Sequence, residues 1–121
     1  MSEIVRAEAL WRVYKLDEVE VPALRGVDLS LEQGGFSAIV GPSGCGKSTL
    51  LHLLGCLDRP TSGRVVFAGE DVSRAGDAAL TRIRSRRVGF IFQTFNLMPT
   101  LSARENVVLQ LRMAGIRGAR A

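Results

Sequence analysis

Histidine, tyrosine and tryptophan each occur once in these 121 residues, and cysteine twice. Each scarcity removes a class of function. Cys45 and Cys56 are too few and wrongly spaced for a zinc site, and no Cys-x-x-Cys occurs. Free reduced thiols are therefore the expectation. His52 has no ligand or acid–base partner at helical spacing, which fits a surface residue better than a catalyst. No apolar run approaches the roughly 20 residues needed to span a bilayer, and nothing resembles a signal peptide. A soluble, cytoplasmic chain is expected.

Lysine is scarce too: 14 of the 16 basic residues are arginine, in a chain of net charge +4. A basic surface attracts nucleic acid or anionic membranes. Arg82, Arg84, Arg86 and Arg87 form the densest cluster, but no aromatics interleave for base stacking. That pattern fits a solvated helix end, and no nucleic-acid partner is expected. With 46% apolar residues and this length, the chain makes one domain or part of one.

What is present is glycine at fixed spacing. Gly41-Pro42-Ser43-Gly44-Cys45-Gly46-Lys47-Ser48-Thr49 fills every position of G-x-x-x-x-G-K-[ST], the phosphate-binding P-loop. Glycines let the backbone curl until the N–H groups of Gly44 to Lys47 converge on one phosphate. Lys47 adds a positive charge near the β- and γ-phosphates. Ser48 offers a hydroxyl to Mg²⁺, and Thr49 a donor to the α-phosphate. The alternative is a glycine-rich turn that matches by chance.

The flanks fit a strand–loop–helix unit, which a P-loop needs to receive its anion. Residues 36–40 read as a buried strand. A helix is expected from Lys47 to about Leu57, burying Leu50, Leu53, Leu54 and Leu57. Residues 4–10 and 27–31 alternate apolar with polar, the period of a half-buried antiparallel sheet. Further strands are expected over 64–68 and 88–92, and a helix from Asp77 to about Arg84. Ser102 and Glu105 have the spacing of a capping box, opening a helix to about Met113. The run 65–71 places two acids after apolar residues, yet Gly69 breaks it and a hairpin turn explains it better.

Several landmarks fall in one order around this loop. Tyr14 precedes it, and residues 23–29 (Ala-Leu-Arg-Gly-Val-Asp-Leu) lead toward it. Leu57-Asp58-Arg59-Pro60-Thr61-Ser62-Gly63 follows. Then Gly89-Phe90-Ile91-Phe92-Gln93 precedes Phe95-Asn96-Leu97-Met98-Pro99 and Thr100-Leu101-Ser102-Ala103-Arg104-Glu105-Asn106-Val107. In this order the chain resembles the ATP-binding subunit of an ABC transporter, over essentially all of residues 1–121. The nearest branch serves macrolide export, lipoprotein release and antimicrobial-peptide export.

The resemblance implies an α/β fold: an incomplete P-loop NTPase core with an N-terminal antiparallel β-subdomain. It implies ATP and Mg²⁺ as cofactors, with Tyr14 stacking on adenine and Gly41 to Thr49 holding the phosphates. Gln93 would contact Mg²⁺ and the attacking water, making it catalytic together with Lys47. The loop from Gln93 to Pro99 would meet a transmembrane permease subunit, and a second ATP-binding subunit would complete a dimer. The protein would then sit on the cytoplasmic face of the inner membrane.

Two small departures stand out: Gly35 replaces a usual glutamate, and Cys45 a usual serine or small residue. The large one is that no LSGGQ signature, no Walker B strand ending in Asp-Glu, no D-loop and no switch histidine occurs by Ala121. The expectation is the N-terminal half of an ATP-binding domain that binds ATP without competent hydrolysis. The alternatives are a catalytically inactive nucleotide-binding or interaction fragment, or another P-loop enzyme such as a small-molecule kinase using Arg82 to Arg87 as a lid.

Overall fold

Alternating apolar and polar side chains build two long strands, β1 (Glu3–Leu16) and β2 (Val19–Glu32). They form one antiparallel hairpin whose turn is residues 17 and 18, with Asp17 in the left-handed conformation at φ 56°. Short acidic side chains tolerate that conformation because they bond locally. The computed structural model describes residues 3–92 and 97–115. Strand β3 (Ser62–Phe67) pairs antiparallel with β1, and β4 (Glu70–Asp71) with β3, giving the order β2-β1-β3-β4. The strands expected at 4–10 and 27–31 are thus the inner parts of a longer hairpin.

The acids at 70 and 71 belong to that second hairpin. Ala68 and Gly69 turn with φ 49° and 85°, and Phe67 pairs with Glu70 across them. Positive φ at both turn positions matches the natural twist of a two-residue hairpin.

Helix α1 (Lys47–Leu54) buries Leu50, Leu53 and Leu54. It stops earlier than expected, because Gly55 caps it and Cys56 turns to φ 62°, so Leu57 is only half-buried. These leucines join Val5, Ala7, Leu10, Leu24, Val65, Phe67 and Val72 among the buried residues. Each of these leucine, valine and phenylalanine side chains contributes on the order of 1.5–3 kcal/mol of burial.

The chain divides into two compact units, one ending at Leu80 and one beginning at Thr81. The first carries the sheet and α1. The second carries most of α2 (Asp77–Arg87) and all of α3 (Ala103–Met113). Arg84, Arg86 and Arg87 occupy the last turn of α2, where positive charge complements the helix dipole. At α3, Ser102 Oγ accepts from Glu105 N and Glu105 Oε1 from Ser102 N, each at 3.1 Å, so the capping box forms.

Two expected strands do not form. Residues 36–40 and 88–92 have no strand assignment, and Phe36, Val40 and Ile91 are exposed. A parallel-sheet strand needs neighbours on its edges and helices over its faces. No strand among the described residues pairs with either segment. No helix among them is long and apolar enough to cross a membrane.

Candidate functional site

The loop before α1 is shaped by its glycines. Gly44 and Gly46 take φ 79° and 98°, a region that costs any residue with a Cβ. A Cβ on Gly46 would lie 2.6 Å from the Ala23 carbonyl oxygen, and one on Gly41 would lie 2.7 Å from Cys45 Sγ. Gly46 therefore lets the loop close against β2. Gly44 meets nothing within 4 Å, so its outer side is open.

Lys47 turns back across this loop. Its ammonium donates to the carbonyl oxygens of Gly41 at 2.5 Å and Pro42 at 2.8 Å, and lies 3.8 Å from Cys45 Sγ. The N-terminus of α1 begins at Gly46, which has no side chain to cap it, and its first turn holds no acidic residue. The first N–H groups of a helix have no partner within it. Together with the dipole, they favour an anion at that end. Ser48 is exposed and Thr49 half-buried at the same turn. Glycine cradle, free helix end and lysine form a donor set that suits a phosphate chain.

An open concavity of ≈ 480 Å³ borders the loop, lined by Val21 to Arg25, Val27, Gly44 and Cys45. Tyr14 lies opposite Val21 in the β1–β2 register and is half-buried. Tyr14 thus belongs to the strand pair that walls this concavity but is not itself among its lining residues. Pro42, Ser43 and Cys45 are exposed in the loop, whereas Cys56 is buried behind α1. His52 is exposed, as a surface residue should be.

Gln93 lies outside the described residues, as do Thr94, Phe95 and Asn96. Leu97 and Met98, the next residues of that loop, are exposed. They are held by a residue to which the sequence assigns no role. Asn106 Oδ1 accepts from Met98 N at 2.8 Å, and its amide donates to the carbonyls of Met98, Leu101 and Ser102. Arg12 was missed in the same way: its guanidinium lies 4.6 Å from the centroid of the Tyr14 ring. The signal was its i, i+2 spacing to Tyr14, which puts both on one face of a strand.

Comparison with known proteins agrees with this geometry. The family model described as ABC transporter matches residues 24–121. An uncharacterized ABC transporter ATP-binding protein of Thermotoga maritima is 52% identical over 116 residues, covering 96% of this chain and 50% of that protein. The lipoprotein-releasing system ATP-binding protein LolD of Geobacter metallireducens is 48% identical, covering 97% of this chain and 52% of its own length. Among solved structures, the ATP-binding cassette MJ0796, a dimer in a post-hydrolysis state bound to ADP and Pi, superposes with a TM-score of 0.90. It is 44% identical, covering 97% of this chain and 50% of that one. The chain therefore spans about half the length of these relatives. With the P-loop motif, its glycine-built loop and these matches in agreement, the chain belongs to the ABC transporter family and has the fold of part of an ATP-binding cassette.

Proposed function

We propose that this chain grips the triphosphate of ATP as part of the energising subunit of an ABC transporter. The observation that carries this reading is Lys47 folded over the carbonyls of Gly41 and Pro42 beside an uncapped helix N-terminus. In that position the ammonium needs only to swing outward to meet a phosphate. The N–H groups from Gly44 to Lys47 would take one phosphate, and Thr49 would donate to the α-phosphate. Ser48 and Gln93 would hold Mg²⁺, which when bound neutralises phosphate charge. Tyr14 would stack on the adenine.

The residues for turnover are a separate matter. In-line attack on a γ-phosphate needs a positioned water, a carboxylate near it and a metal held from more than one side. Residues 1–121 supply Lys47, Ser48 and Gln93 toward this but no Walker B acid pair and no LSGGQ. The proposal is therefore binding without competent hydrolysis for this polypeptide, as the N-terminal part of one ATP-binding domain. In the complete assembly, a second ATP-binding subunit would face this one, and a transmembrane permease would dock near Gln93 to Pro99 on the cytoplasmic side. The named relatives, an ATP-binding protein of a lipoprotein-releasing system and a cassette seen as a dimer, support such an assembly in outline.

Calorimetric titration of the purified chain with Mg-ATP tests the reading. Binding should be measurable, and Lys47→Ala should weaken it at least about tenfold, the loss of a charge-assisted phosphate contact. Equal binding by Lys47→Ala would overturn the assignment of the loop. Lys47-dependent turnover at an ordinary enzymatic rate would overturn the absence of hydrolysis.

A further inference from the structure

We propose that Arg12 is a positioning residue for the adenine platform, coupling the Tyr14 ring to the turn that follows the phosphate-binding helix. The inference rests on the reading of Tyr14 as that platform and adds a residue to it.

Arg12 and Tyr14 are two residues apart on β1, so their side chains leave the same face of the strand. The guanidinium lies over the ring at 4.6 Å from its centroid, the geometry of a cation–π contact. It covers one face of the ring, so a stacking base would take the other. Both side chains are half-buried, which limits the screening of this contact by water. Arg12 Nε is 3.1 Å from Asp58 Oδ2, yet this buried nitrogen has no aligned hydrogen-bond acceptor. Asp58 therefore balances the charge of Arg12 without fixing the plane of the guanidinium. Stacking on the ring fixes it.

The anchoring is independent of this pair. Asp58 Oδ1 accepts from Arg59 N at 2.8 Å, which holds the carboxylate in its turn. Thr61 brackets Arg12 on the backbone: its N–H donates to Trp11 O at 2.7 Å, and its Oγ1 accepts from Val13 N at 2.9 Å. Residues 11–13 are thus stitched to the turn that begins four residues after α1 ends. Because α1 starts at the phosphate loop, this hydrogen-bonded turn connects the strand of the ring to the helix whose N-terminus would take the phosphates. A base on Tyr14 and phosphates on α1 are then held at a set spacing.

The test separates base from phosphate by using ATP and inorganic tripolyphosphate, each with Mg²⁺, on the full 121-residue chain. Arg12→Met should weaken ATP about three- to tenfold, the size of a partly desolvated cation–π contact, and leave tripolyphosphate unchanged. That unchanged binding also reports an intact fold. Arg12→Lys, which keeps the cation, should recover part of the loss, and Asp58→Asn should give a smaller loss in the same direction. Tyr14→Ala should abolish the preference for ATP over tripolyphosphate, and Arg12→Met added to it should change nothing further. Tyr14 is the only tyrosine, so the ring resonances of a ¹³C-tyrosine-labelled chain read it alone and should shift in Arg12→Met. If Tyr14→Ala keeps the preference for ATP, the reading of Tyr14 falls, and the role of Arg12 with it. If Tyr14→Ala removes the preference but Arg12→Met spares it, or weakens both ligands alike, the role of Arg12 alone is overturned. A parent chain that binds no ATP overturns both.

Discussion

Asp28 accepts a hydrogen bond from the backbone N–H of Ala9 at 2.8 Å, across the β1–β2 ladder. Ala9 is the extra residue of a bulge: it takes φ 47°, and the register shifts between Ala7 and Leu10. The shift decides which side chains face α1. Buried positions on β1 run Val5, Ala7 and then Leu10, a step of three rather than two. Beyond the bulge, Leu10, Arg12 and Tyr14 share the face that Val5 and Ala7 line before it. A bulge re-aims side chains in this way. Removing its anchor with Asp28→Ala should cost about 1 kcal/mol, the worth of one hydrogen bond. Urea unfolding measures it, and Asp28→Asn, which keeps an acceptor, should lose less.

Gly63 lies close against the backbone of the bulge. At φ 86°, a Cβ there would stand 2.2 Å from the Ala9 carbonyl oxygen. Gly69 has nearly the same φ, 85°, but nothing within 4 Å of its Cβ position. Gly69→Ala should therefore cost only the left-handed strain, about 1–2 kcal/mol. Gly63→Ala should cost clearly more, because backbone must move. Thermal unfolding of the two variants compares them, and equal losses would show that the Ala9 contact is unimportant.

Cys45 is exposed in the phosphate loop, and Cys56 is buried. A thiol reagent should label Cys45 first and reach Cys56 only on unfolding. ATP should slow the labelling of Cys45 by covering the loop. Mass spectrometry after timed alkylation resolves the two sites. Equal rates with and without ATP would place the nucleotide elsewhere.

Acid should loosen α3. The Ser102 backbone N–H and hydroxyl hold the Glu105 carboxyl below the usual glutamate range. A carboxyl with a depressed folded pKa adds stability that is complete above its unfolded pKa. That stability is lost as pH falls through the folded one. The capping contribution is therefore present at neutral pH and disappears below the ordinary glutamate range. Asp71, held low by the Ser73 backbone N–H, acts in the same direction on the β3–β4 hairpin. Circular dichroism of the parent chain and Glu105→Gln between neutral and acid pH should show a shallower acid loss of helix in the variant.

The phosphate loop was legible from residues 41–49 because its chemistry is local. Spacing, glycine freedom and helix start all lie within nine residues. The capping box at Ser102 and the hairpin at residues 68 and 69 were legible for the same reason. The strands over 36–40 and 88–92 were not, although their apolar runs are unambiguous. A strand exists only with a partner, and no described strand pairs with them. Arg12 was invisible because its meaning depends on a ring, a bulge and a carboxylate 46 positions along the chain (58 − 12).

The sequence by itself determined the family, the phosphate loop and the starts of its helices at Lys47, Asp77 and Ala103, since each is written in short-range spacing and backbone preference. Tertiary structure alone decided which face of β1 carries Tyr14, how close Gly46 comes to β2, and that Arg12 lies between ring and carboxylate. Those outcomes depend on strand register. A single extra residue at Ala9 changes the face of every side chain beyond it, and only the pairing of distant strands shows where that residue is accommodated.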